Sequence, residues 1–133
     1  SRFVEDGIDV RHVARTSGVP SGAAQVMVGP EGENYLAVAP GSNDRLTPGD
    51  VDAARDVIAR SAVLLTQMEV PATTVQRAID VAASSGVKVV LNYAPAVDAD
   101  LDLNGGDVLV VNETEATQLA GRETPEAAAW RPV

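Results

Sequence analysis

The stretch VLVVNETEA, Val108 to Ala116, sets four apolar residues directly against Asn112-Glu113-Thr114-Glu115. Three of the four are β-branched, which favours extended backbone on a packed sheet. A continuous apolar run, unlike an alternating one, predicts a strand covered on both faces. The polar set that follows has two readings. Asn112 and Glu115 have the N-cap and N3 spacing of a capping box, in which each side chain accepts from the other residue's amide. The same side chains stand where a strand hands over to a helix, the place where open parallel sheets collect ligands. The letters alone leave both readings open.

Working outward, the same strand-to-helix pattern occurs twice more. Thr47-Pro48 reads as an N-cap followed by Pro at the first helical position, with Asp50 in the first turn. Val51, Ala54, Val57 and Ile58 then recur at helical spacing. Ala62–Leu65 is a short apolar strand, followed by Thr66, Gln67 and Glu69. Pro71 opens a second helix with Val75, Ala78, Ile79 and Ala82 as its inner stripe, and Gly86 stops it. Val87–Leu91 is the next strand, ended by Asn92. A polar loop from Asp98 to Asp107, containing Asn104-Gly105-Gly106, leads to Val108–Val111, and Asn112 starts a third helix that stops near Gly121. Three alternations of continuous apolar strand and helix predict an α/β fold, a parallel sheet flanked by helices.

The part before Gly41 is different. GAAQVMVGPEGENYLAVAP, from Gly22 to Pro40, holds two alternating runs around a Gly-rich turn and predicts a β-hairpin. Ala24, Val26 and Val28 share one face, as do Leu36 and Val38, and the apolar character of both faces predicts that the hairpin covers something. One partial domain over residues 1–133 follows: hairpin at about 22–40, α/β core at about 44–121, and a frayed tail at 122–133.

Composition sets bounds. At 133 residues and 45% hydrophobic, the chain supports one soluble globular domain with a core of Val, Ala, Leu and Ile. No cysteine is present, which removes disulfides and thiolate chemistry and suits a cytoplasmic location. The opening SRFVEDGIDV lacks the basic-then-apolar pattern of a signal peptide, and no apolar run has membrane-spanning length. A net charge of −9 without a basic cluster disfavours nucleic acid as a partner.

Polar residues fall after every predicted strand: Gln67 and Glu69, then Asn92, then Asn112 and Glu115. Glu69, just before Val70-Pro71, is either a favourable charge at a helix N-terminus or an acceptor for a polyhydroxylated ligand. Asn112 and Glu115 are either caps or groups for a phosphate oxygen and Mg²⁺. His12 is the single histidine, reads as a surface residue, and excludes multi-histidine metal sites. No Gly-x-Gly-x-x-Gly or Walker-type loop is present.

The ordered set VPSGAAQVMVGPEGENYLAVAPGSN, LLTQMEVP, VVLNYAPA and VLVVNETEATQLAG resembles the ribokinase branch of the PfkB carbohydrate kinases, from Gly7 to Gly121. The resemblance implies a ribokinase-like fold and phosphoryl transfer from ATP, with Mg²⁺, to ribose or a similar sugar. It implies a monovalent cation in the complete protein and a homodimer through the hairpin, which would serve as a lid. By position it assigns Glu69 to the sugar hydroxyls, with Ala24, Val26 and Val38 against the sugar face. It assigns Asn112 to the nucleotide phosphates, and Glu115 to the Mg²⁺ and phosphate network through water.

Two departures shape the expectation. Asn92-Tyr93-Ala94-Pro95 stands where the family usually has Asn-Pro-Ala-Pro, so Tyr93 is expected to relax the loop and add bulk near the site. The family's upstream Gly-Gly sugar segment and its downstream Gly-Ala-Gly-Asp segment, with the general base and anion hole, do not appear among these residues. The expectation is a fragment of a sugar kinase, silent by itself, with no catalytic base of its own. The alternatives are a non-catalytic α/β interaction module derived from the family, or a kinase for another substrate such as a nucleoside or fructose.

Overall fold

The computed structural model describes residues 2–97 and 101–120, so the expected tail at 122–133 lies outside the described residues. A short helix α1 (Arg2–Glu5) leads to the hairpin strands β1 (Ala23–Val28) and β2 (Asn34–Ala39). Helices α2 (Pro48–Ala53) and α3 (Arg55–Ala59) follow, then β3 (Val63–Gln67), α4 (Ala72–Ser84), β4 (Lys88–Asn92), β5 (Val108–Val110) and α5 (Glu113–Ala120). Strands β3, β4 and β5 form a parallel sheet in that order, and β1 and β2 form a separate antiparallel pair.

The expected helix signals act where they stand. Thr47 and Asp50 make both bonds of a capping box, with Pro48 at the first position of α2. The single helix expected through Val51, Ala54, Val57 and Ile58 is two, because Ala54 takes φ −96° and ψ 3° and separates α2 from α3. At the far end of α4, Gly86 has φ 70°, where an L side chain would be strained. There Val87 N–H donates to the Ala82 carbonyl and Gly86 N–H to the Ala83 carbonyl, closing a Schellman motif.

The core forms between α4 and the sheet. Val75, Ala78, Ile79 and Ala82 are all buried, as their spacing predicts; Val75, Ile79 and Ala82 cluster with Val89 and Leu91 of β4, whereas Ala78 clusters with Val51 and Val81. Full burial of each Val, Ile and Leu side chain among them is worth about 1.5–3 kcal/mol relative to exposure. Gly105, in the 3-10 turn Leu103–Gly105, sits so close to α4 that a Cβ there would meet Ile79 Cγ2 at 2.8 Å. Thr74 is buried and its hydroxyl donates to the Leu46 carbonyl, 2.9 Å away. Arg77 donates to Asp52 at 2.6 Å, and the two bonds fasten α4 to the α2 region.

Two expectations need correction. The apolar strands predict a sheet covered on both faces, but only the face carrying Leu64, Val89, Leu91 and Leu109 is packed. Val63, Leu65, Val108 and Val110 point the other way and are exposed, Leu65 at 73%. The hairpin, expected to cover something, has every strand residue exposed. In both cases the apolar faces meet no other described element, so local pattern alone could not reveal the missing cover.

The Asp52 carboxyl is held below the ordinary aspartate value, first by the hydrogen bond from Arg77 and further by Arg55. A depressed folded-state value stabilises the fold above the unfolded value, about 3.9. That contribution fades as pH falls through the folded value. Asp52→Asn is therefore expected to lower Tm at pH 7, with the deficit shrinking as both proteins are melted towards pH 3. A deficit independent of pH would contradict this role.

Candidate functional site at the strand carboxyl edge

Parallel register brings the polar residues to one edge. Gln67 pairs with Asn92 and Asn92 with Val110, so the ends of β3, β4 and β5 lie level. Gln67 and Thr66 are the last residues of β3 rather than its successors, because the ladder is made by backbone groups and continues regardless of side-chain polarity. Gln67 and Asn92 lie on the open face, about 4.8 Å apart along the hydrogen-bonding direction. They are thus paired neighbours at the rim.

Glu69 sits in the bend between β3 and α4. Its neighbour Met68 is buried, and the Met68 N–H donates to the Ala94 carbonyl at 3.1 Å, which ties this bend to the loop after β4. Glu69 itself is exposed and makes no hydrogen bond among the described residues. Its carboxylate therefore has its full accepting capacity towards solvent, directly ahead of the helix whose N-cap is Pro71.

Tyr93 departs from expectation. Its ring is buried in the core at 2% exposure, its N–H donates to the Val110 carbonyl, and its hydroxyl donates to the Val97 carbonyl at 2.8 Å. Its bulk fills the core instead of crowding the rim, and its hydroxyl braces the loop that the missing Pro was expected to loosen. An aromatic ring with its polar tip satisfied is stable in such a place.

Asn112 and Glu115 form the capping box. The Asn112 N–H donates to Glu115 Oε2, and the Glu115 N–H donates to Asn112 Oδ1, both at 2.8 Å. Glu115 is buried at 8% exposure, whereas Asn112 is exposed. The box thus holds both side chains at the N-terminus of α5, turned to their own backbone. A ligand approaching here meets the exposed Asn112 first and must compete with the helix for both groups.

Among the described residues no cluster of three or more His, Cys, Asp or Glu is arranged to hold a metal. His12 is exposed, as expected. Ala24 faces Val38 across the hairpin and Val26 faces Leu36, so Ala24, Val26 and Val38 do share one face. They belong to the two-stranded sheet, apart from the three-stranded sheet that carries the polar rim. One supporting residue escaped sequence reasoning: Asp107 Oδ2 accepts from Val89 N–H at 2.7 Å and fixes where β5 enters the sheet. An aspartate inside a polar loop carries no signal of that bond.

The pfkB family carbohydrate kinase pattern matches residues 1–131. The chain belongs to the PfkB family. Ribokinase from Haemophilus influenzae is 38% identical over 125 residues, which are 93% of this chain and 41% of that protein. The solved structure of Sa239 superposes with a TM-score of 0.80 at 36% identity, over 96% of this chain and 43% of that one. Arabidopsis thaliana ribokinase, solved in complex with ribose and ATP, gives a TM-score of 0.63 at 25% identity, over 84% and 38% of the two chains. The fold is ribokinase-like, and the chain spans about two fifths of the length of these PfkB relatives. No helix among the described residues is long and apolar enough to cross a membrane.

Two stability predictions follow from the rim. Asn112→Ala is expected to cost about 1 kcal/mol. In a cycle with Glu115→Ala the two losses should fall short of additivity, because either change opens the box; strict additivity would contradict it. Tyr93→Phe should cost about 1 kcal/mol through the lost hydroxyl bond, and Tyr93→Ala about 3–5 kcal/mol through the cavity, measured by denaturant unfolding. Equal losses would contradict the ring's packing role.

Proposed function

We propose that these residues form the central part of an ATP-dependent pentose kinase, converting ribose or a similar sugar to its 5-phosphate, and that the 133-residue chain alone is catalytically silent. The observation that carries this reading is Glu69, exposed and without a hydrogen bond among the described residues, at the same strand edge as the Asn112–Glu115 pair. The ribokinase name of the Haemophilus influenzae relative and the ribose and ATP in the Arabidopsis complex support it.

In this reading Glu69 accepts from two sugar hydroxyls, and Ala24, Val26 and Val38 supply an apolar surface to the sugar. Asn112 takes a phosphate oxygen. The residues fit a magnesium ion only as a phosphate-borne one, because a lone carboxylate such as Glu115 suits a cation held mainly by phosphates and water. That ion would neutralise charge as the phosphoryl group moves, while the chain's own groups orient sugar and phosphates. No residue here is assigned as the base, which agrees with a silent isolated chain. The exposed hairpin faces support a homodimer closed through the lid, and the cysteine-free composition supports a cytoplasmic setting.

The test uses two proteins. The purified 133-residue chain is expected to give no ribose-dependent ADP release. In a complete protein bearing these residues, Glu69→Gln should raise the ribose KM by about 10- to 100-fold, the worth of charged hydrogen bonds. Glu115→Ala should depress turnover. Phosphorylation of a nucleoside or fructose in preference to ribose would overturn the substrate assignment, and turnover by the short chain would overturn its silence.

A further inference from the structure

Tyr93 touches both arms of the polar rim. Its N–H donates to the Val110 carbonyl at 2.9 Å, just ahead of Asn112. Its hydroxyl donates to the Val97 carbonyl at 2.8 Å and closes the loop 93–97 on itself. Inside that closed loop the Ala94 carbonyl accepts from the Met68 N–H at 3.1 Å, immediately before Glu69. The side chains repeat the link: Met68 and Tyr93 are buried in one cluster, and Val70, Ala96 and Val97 pack against it. Glu69 is thus an exposed residue between two anchored neighbours, and the cluster that anchors both contains Tyr93. A proline in this place can make neither bond, having no N–H and no hydroxyl.

We propose that Tyr93 is a positioning residue for the sugar: through Ala94 and Met68, its hydroxyl latch sets where the Glu69 carboxylate stands relative to the Asn112 end of the rim. The inference rests on the reading of Glu69 as the acceptor for sugar hydroxyls. A carboxylate that accepts from two hydroxyls at once needs fixed backbone beneath it, because misplacement weakens both bonds together. Glu69 makes no hydrogen bond among the described residues, so its placement comes from the anchored backbone on either side. The two ties of Tyr93 divide the task. The bond to Val110 is made by the backbone N–H and holds the phosphate end whatever the side chain. The bond to Val97 is made by the hydroxyl and governs the sugar end.

Tyr93→Phe keeps the ring and removes only the latch. In the 133-residue chain, hydrogen exchange of the Met68 amide should then accelerate at least about tenfold more than that of Val89, because a local opening adds to any global one. In a complete protein bearing these residues, the same variant should raise the ribose KM about fivefold, the worth of one neutral hydrogen bond. The kcat and the ATP KM should stay unchanged, the mark of lost uniform binding. Asp52→Asn, a destabilising change on α2, should alter neither KM. Equal acceleration at Met68 and Val89, a fall in kcat at constant ribose KM, or a like rise in KM from Asp52→Asn would overturn the inference. So would an unmoved ribose KM in Tyr93→Phe beside a raised one in Glu69→Gln. No change from Glu69→Gln would instead sink the proposed sugar contact, and Met68 exchange alone then sustains or overturns the latch.

Discussion

The packing of α4 on β4 is the constraint on which the remaining structure depends. Val75, Ile79 and Ala82 press on Val89 and Leu91, and all five are buried to within a few per cent. From this interface the other attachments radiate: Thr74 to the Leu46 carbonyl, Arg77 to Asp52, and the Leu103–Gly105 turn against Ile79. The Schellman closure at Gly86 then delivers the chain into β4 in the right direction. Interiors packed to crystal-like density transmit such positions faithfully, so the level of the strand ends is set from within this layer.

That level determines the site. Because β3, β4 and β5 run parallel and end together, the residues after them converge without further design. The rim is braced from behind by two buried residues, Met68 through Ala94 and Tyr93 through Val97 and Val110, while Asp107 through Val89 fixes the opposite, amino end of β5. The polar groups differ in their state of readiness. Glu69 stands exposed and uncommitted, whereas Asn112 and Glu115 serve the helix. The Glu115 carboxylate accepts from the Asn112 amide, so this helix end is satisfied by its own capping box.

Much of this was legible in the residues. The buried stripe of α4, the Thr47 cap, the Gly86 stop and the three strands follow from periodicity and turn chemistry, which are local. The capping box was legible as a spacing, but its orientation was not, because orientation depends on what else competes for the side chains. Tyr93 was misread for a similar reason: a loop aromatic looks like bulk at a rim until the core is seen to have room for it. The exposed sheet face was legible only in part. Leu65 is aliphatic because it belongs against something, and the sequence records that requirement without recording whether the cover lies within these residues. The family motifs mark which residues gather at the rim, while their distances and partners come only from the fold.

Native-state amide hydrogen exchange on the 133-residue chain tests this account most directly. The account predicts the slowest exchange in β4 and the buried turns of α4, with intermediate protection in β3 and β5. Hairpin amides from Ala23 to Ala39 should exchange orders of magnitude faster, since neither hairpin face is packed. Hairpin protection equal to that of Val89 and Leu91 would contradict it, by showing that the stability of the chain does not radiate from α4 and β4.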